Sequence, residues 1–209
     1  MIATALYTGL RISELLGLTW DDVDLDRGVI HVRAQLSRAH RDAPPRRVPT
    51  KTQASVRDIP LVSQLADLIA DHRRRTPFAA GPDWVFVTAN GTPHGHRNVT
   101  RRGLQRAARI AGIDDGSGPA LRYHDLRHTF ASHLILDLGL DVAQTSRILG
   151  HASATITLNV YTHLFDDARH AREIRAQMAV SPFARLLESN GKAVSSSTVL
   201  QMRNRRNGR

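Results

Sequence analysis

The chain has 209 residues, of which 41% are hydrophobic and 23% charged, enough apolar content to build a packed core. Lys and Arg total 29 against 19 Asp and Glu, a formal charge of +10, and this excess points to a polyanionic partner such as nucleic acid. Cysteine is absent, which excludes a disulfide scaffold, a thiol nucleophile and a thiolate zinc site.

The positive charge is nearly all arginine, since the only lysines are Lys51 and Lys192. Guanidinium groups fork onto phosphate oxygens where an ammonium acts as a point charge. No apolar run approaches membrane-spanning length, and the N-terminus lacks the basic start of a signal peptide. A cytoplasmic protein with no membrane partner is expected.

Residues 2–18 read as helix, whole or in two pieces broken near Gly9, with Ile12, Leu15 and Leu16 on one face and Gly17 as a stop. Residues 23–25 and 29–32 read as strands joined by a turn at 26–28. Residues 35–56 are polar and proline-containing; they read as the loop of a long hairpin whose return strand is 57–60. Residues 61–75 form an amphipathic helix with a stripe of Leu61, Leu65, Leu68 and Ile69.

A short apolar segment at 84–87 precedes a turn at Asn90-Gly91. Residues 99–111 form a basic helix carrying Arg101, Arg102, Arg106 and Arg109, ended by Gly112. Residues 123–138 form a helix on Leu126, Phe130 and Leu134. Asp141 caps a helix that runs to Leu149, with Gly150 as its left-handed end. A last helix covers 164–178, and from about residue 189 the composition becomes that of a flexible basic tail. The class is mainly α with a small antiparallel β-sheet (α+β).

Four patterns stand out from this frame. Arg11 and Glu14 are three apart and face the same side, as any surface ion pair does. His124 and Arg127 repeat that spacing on the face not used by Leu126 and Phe130, where an imidazole and a guanidinium can meet one anion. His151 follows the helix end at Gly150, a place where histidines usually make structural hydrogen bonds. Tyr161 sits beside Val160, as a half-buried core tyrosine does.

Taken in order, these patterns resemble the tyrosine recombinases, the phage-integrase family. The matching stretches are TGLRISELLGLTW (8–20), HDLRHTFASHL (124–134), LGHAS (149–153) and NVYTHL (159–164), with Lys51 in PTKTQASVRDIPL (49–61) at the place of the family's hairpin lysine. The resemblance covers about residues 3–178.

It implies a catalytic domain over 1–180 and a C-terminal extension over 181–209. Because the arginine motif begins at residue 8, it also implies an N-terminally truncated fold, without the family's DNA-clamp domain or the first catalytic helix. The implied reaction is attack by Tyr161 on a DNA phosphodiester, giving a 3′-phosphotyrosyl bond and a free 5′-hydroxyl, followed by strand exchange and rejoining without ATP.

Arg11, Arg127 and His151 hold the phosphate in that scheme, His124 assists proton transfer near the nucleophile, Lys51 is the general acid, and Glu14 orients Arg11. Arg101, Arg102, Arg106 and Arg109 are expected on the DNA backbone. No metal and no cofactor is implied. The partners are double-stranded DNA and further copies of the chain, as a tetramer on DNA in which the 164–178 helix either docks on a neighbouring subunit or packs in cis. The competing expectation is a non-catalytic, DNA-binding remnant.

Overall fold

The structure, a computed structural model, describes residues 1–37, 44–182 and 184. The chain divides into two units, Met1–Phe165 and Asp166–Arg209.

Two helical pieces open the first unit, α1 (Ile2–Thr8) and α2 (Ile12–Leu16), separated at Gly9 as the sequence suggests. A single 3₁₀ turn at Trp20–Asp22 leads into β1 (Val23–Asp24) and β2 (Val29–Val32). β5 (Arg57–Pro60) completes an antiparallel sheet of order β1-β2-β5, in which Val23 faces Ile30, and Ile30 faces Ile59. Alternation along β2 buries Ile30 and Val32 and leaves His31 on the outer face beside Asp58.

The segment expected as one long loop contains a second ladder. β3 (Ala34–Leu36) pairs antiparallel with β4 (Arg47–Pro49), Gln35 opposite Val48. Propensity hides this pair, because Arg and Pro are poor strand formers; tertiary anchoring of Leu36, which is buried, and of Arg47 makes the ladder.

α3 (Ser63–Arg75) buries Leu65 and Ile69, whereas Leu68 is 60% exposed and Leu61 precedes the helix. The inward face continues instead to His72, whose ring lies between Trp20 and Phe86 and whose Nε2 bonds the Val85 carbonyl. The basic helix is three consecutive pieces: α4 (His96–Asn98), a π-helical stretch (Val99–Gln105) and α5 (Arg106–Ile110). α6 (Tyr123–Ser132) continues as a π-helical stretch (His133–Asp137), and α7 (Val142–Leu149) follows. Asp141 caps α7 as expected, its Oδ1 accepting the Gln144 N–H at 2.7 Å.

α8 (Ala154–Ala179) begins ten residues before the predicted position and contains Tyr161, at non-helical φ −121°, ψ 15°. Thr155, Ile156, Thr157 and Val160 lower the helix propensity of its first turns, which is why the sequence reads otherwise.

The core of the first unit gathers Leu10, Leu15, Leu16, Trp20, Ile30, Val32, Ile59, Leu65, Val85 and Leu126. Leu15 and Leu16 of α2 and Leu126 of α6 belong to this core, so the polar residues Glu14 and Arg127 beside them in the chain stand at its edge. In the second unit, exposed ion pairs join Arg169 to Asp166 at 3.1 Å and to Glu173 at 4.0 Å. Among the described residues no helix is long and apolar enough to cross a membrane. The tail expected from residue 189 lies outside the described residues.

Candidate active site

The site is assembled where helix ends meet. Gly9 closes α1 at φ 61° and Gly150 closes α7 at φ 67°, left-handed conformations that glycine adopts without strain. Both ends leave carbonyls unused by their helices, and arginines fill them. Arg127 Nη1 donates to the Gly9 carbonyl and Nη2 to the Leu149 carbonyl, each at 2.6 Å; Arg11 Nη2 donates to the Gly150 carbonyl at 3.0 Å. These two guanidiniums, 116 positions apart in the chain, are thereby fixed around one helix terminus.

Glu14 organises the same corner. Its carboxylate accepts Arg11 Nη1 at 2.8 Å, the side-chain pair that the i, i+3 spacing allows, and also the Arg11 backbone N–H at 2.9 Å. It also accepts Arg57 Nη2 at 2.9 Å and Nη1 at 3.3 Å, a partner that sequence spacing does not reveal. Arg57 further donates from Nε to the Ile148 carbonyl and from Nη1 to the Ser55 carbonyl. A guanidinium has five N–H donors. Arg57 has nearly exhausted them on the protein and serves as a brace. Arg11 and Arg127 each keep N–H donors that make no bond among the described residues.

Electrostatics follow from burial. Desolvation alone raises the Glu14 carboxyl, but Arg57 and Arg11 outweigh it and hold the group below the usual carboxylate range. Arg127, 1% exposed, is lowered by burial and then by Arg11 and Arg57, to about 9, and stays a cation at neutral pH.

His151 is lowered by burial and by Arg127, Arg11 and Arg57, to about 4, so its imidazole is neutral at pH 7. Its Nδ1 lies 2.8 Å from the hydroxyl of Thr157, a fully buried residue of α8. If the hydroxyl donates, Nε2 carries the imidazole proton and can donate it to an anion.

Tyr161 is 4% exposed, and burial raises its phenol against the opposing field of Arg127. Its hydroxyl lies 2.8 Å from Nδ1 of His128. His128 stands one turn after His124 on α6, and the two rings meet edge to face with centroids 4.6 Å apart. His124 is exposed and lowered by desolvation and by the His128 and Arg127 charges. The i, i+4 spacing of the two histidines was the signal available for His128.

Lys51 is exposed, two residues past β4, and makes no hydrogen bond or ion pair among the described residues. Its segment is anchored on both sides. Arg47 donates to both oxygens of buried Asp22 at 2.7 Å and to the Gly17 carbonyl at 3.2 Å, while Arg57 anchors the return. Arg101, Arg102, Arg106 and Arg109 are all solvent-accessible; all but Arg106 join Arg97, Asn98 and Gln105 around a polar cavity of about 470 Å³. Among the described residues no group of three or more His, Cys, Asp or Glu side chains is placed to hold a metal ion.

The geometry thus brings together Arg11, Glu14, Arg127, His151 and the His124–His128–Tyr161 series, leaves Lys51 on a separate anchored segment, and adds Arg57, His128 and Thr157.

Known proteins similar to this chain in sequence and fold bear on its family. The Phage integrase family matches residues 1–168. The tyrosine recombinase XerC of Thermodesulfovibrio yellowstonii is 32% identical over 167 residues, covering 80% of this chain and 49% of that protein. The XerC-like tyrosine recombinase of Caldanaerobacter subterraneus is 29% identical, covering 77% and 44%.

Among solved structures, the Tn1549 transposon integrase in complex with circular intermediate DNA superposes with a TM-score of 0.69 at 30% identity, over 84% of this chain and 58% of that one. The XerA recombinase superposes with a TM-score of 0.57 at 26% identity, over 85% and 56%. The chain spans about half the length of the curated relatives it matches. By its matched residues and its fold, the chain belongs to the phage integrase family, the tyrosine recombinases.

Proposed function

We propose that residues 1–180 are the catalytic domain of a site-specific DNA recombinase, with Tyr161 as its nucleophile. The observation that carries this reading is the phenol of Tyr161 held in cis, 2.8 Å from an imidazole and within the field of buried Arg127. A phenol whose proton is retained by burial is a poor nucleophile until a base takes that proton and cations stabilise the charge it creates.

The phosphodiester of double-stranded DNA is the substrate. Tyr161 Oη attacks phosphorus, the P–O5′ bond breaks, and Lys51 gives its proton to the departing 5′ oxygen. Arg11 and Arg127 hold the non-bridging oxygens with their spare donors, and neutral His151 adds a hydrogen bond from Nε2. His124 assists proton transfer from beside His128. The phosphotyrosyl bond conserves the energy of the broken linkage, so a 5′-hydroxyl from a second strand rejoins it by the reverse path. The arginines of α4, α5 and the stretch between them grip the backbone. Strand exchange takes place in a tetramer assembled on DNA.

The test is covalent capture. A pool of nicked duplexes with randomised sequence, in which cleavage releases a short 5′-hydroxyl fragment, traps any cleaving enzyme as an adduct that survives denaturant. Recovery of an adduct dependent on Tyr161 supports the proposal. Salt-sensitive binding of the pool without an adduct identifies a DNA-binding remnant.

A further inference from the structure

We infer that His128 is the direct acceptor of the Tyr161 proton during strand cleavage. The inference rests on the proposed transesterification and assigns the proton transfer that leaves the nucleophile itself.

The chemistry starts from the phenol. Tyr161 is 4% exposed, and the only hydrogen-bond partner of its hydroxyl among the described residues is Nδ1 of His128, at 2.8 Å. Among the described residues His124 makes no hydrogen bond to the phenol; its ring packs edge to face on that of His128. Among the described residues His128 is thus the group within hydrogen-bond reach of the phenol, about 3 Å between heavy atoms, where a general base must stand.

The helix fixes this geometry. The His128 backbone carbonyl accepts the Ser132 hydroxyl, and the ring is wedged between His124 and Tyr161, whose ring centroid is 5.6 Å away. In the neutral imidazole that accepts at Nδ1, Nε2 carries the hydrogen.

The Asp125 carboxylate, three residues back on α6, feels the positive charge of His128 and attracts it in return. Asp125 also holds Arg122, so part of its charge is already matched.

The transfer balances. The Oη–H bond breaks and its proton goes to His128 Nδ1. The freed electron pair forms the P–O bond, the P–O5′ bond breaks, and Lys51 protonates O5′. In rejoining, Lys51 takes the proton from the attacking 5′-hydroxyl and His128 returns one to Tyr161.

Two measurements test the assignment. The first needs no DNA. Nitrogen NMR of histidine-labelled protein should show His128 unprotonated at Nδ1 at neutral pH, with that resonance displaced in Tyr161→Phe. Protonation at Nδ1 in the neutral ring overturns the inference even if the protein cleaves DNA.

The second uses a duplex recovered by covalent capture, made with either oxygen or sulfur at the bridging 5′ position. Asn at 128 keeps an acceptor near Nδ1 but takes no proton. His128→Asn should slow adduct formation about a hundredfold, the size of one acid–base contribution. That loss should persist with sulfur, whose thiolate leaves unprotonated, whereas the loss in Lys51→Ala should be relieved. His124→Asn should lose less than His128→Asn on both substrates. An unchanged rate in His128→Asn overturns the inference and leaves the proposed function standing. Absence of any adduct from the wild-type protein removes both.

Discussion

Glu14 and Arg57 form a two-pronged ion pair, at 2.9 and 3.3 Å, with side chains only 2% and 6% exposed. The pair joins α2 to β5, and through the Arg57 Nε bond to Ile148 it reaches the end of α7. Glu14 is also the anchor of Arg11. Burying two charges is costly, and the cost is tolerated only while each has its partner. Replacing Glu14 by Gln strands two guanidiniums at once. The expected loss of unfolding free energy is about 3 kcal/mol, and Arg57→Ala should cost a similar amount. Chemical denaturation of both single variants and the double variant checks this; the double variant should lose clearly less than the sum of the two.

Gly150→Ala tests the same corner from the backbone side. A side chain at φ 67° costs about 1–2 kcal/mol for the left-handed conformation. The added Cβ also falls 2.7 Å from Arg57 Nη1, so the brace must shift. Because the Gly150 carbonyl holds Arg11, activity should fall more than stability alone explains. Adduct formation measured under conditions where the variant is fully folded makes the comparison.

His151 gives a signed pH dependence. Its ordinary value near 6.5 applies to the unfolded chain, and burial beside Arg127, Arg11 and Arg57 lowers it to about 4 in the folded one. Between those values the unfolded state binds more protons, so stability is complete above pH 6.5 and is lost as pH falls toward 4. The expected loss over this window is about 2 kcal/mol, below the limit of about 3.5 kcal/mol that about 1.4 kcal/mol per pH unit sets, because the ring is only half-buried and solvent screens it. Thermal melts of wild type and His151→Gln across pH 4 to 7 check it; the substitution should flatten the slope.

Thr157→Val removes the hydroxyl beside His151 Nδ1 while keeping the side-chain shape. The expected stability cost is about 1 kcal/mol, that of one hydrogen bond. The larger effect should be on His151, whose nitrogen resonances should show a mixture of tautomers in place of one. A single unchanged tautomer in the variant would mean that Thr157 does not set it.

Arg102 and Arg109 line the polar cavity beside α5, solvent-accessible and without an acidic partner among the described residues. If each neutralises one DNA phosphate, each Ala substitution should reduce the slope of log affinity against log salt by about 0.9. Binding isotherms on a duplex at several salt concentrations read that slope.

Local chemistry was the legible part of this protein. Gly9, Asp141 and Gly150 mark helix ends because their conformational and capping preferences act over a few residues. The i, i+3 pair of Arg11 and Glu14 is legible for the same reason. Arg57 was not legible as a brace, since its partner lies 43 residues away and a buried ion pair leaves no periodic mark. The β3–β4 ladder was hidden by arginine and proline, and the start of α8 by its β-branched residues, because tertiary packing outweighs propensity in both. His128 lies inside a motif already noticed for Arg127, and only the fold shows that its ring, rather than that of His124, meets the phenol.

The most direct measurement is mass spectrometry of the protease-digested adduct from the capture reaction. Wild-type protein should yield one peptide containing residue 161, heavier by a nucleotide joined through its 3′-phosphate, and Tyr161→Phe should yield no such peptide. A nucleotide on any other side chain, or cleavage that survives Tyr161→Phe, would contradict the assignment of Tyr161 as nucleophile.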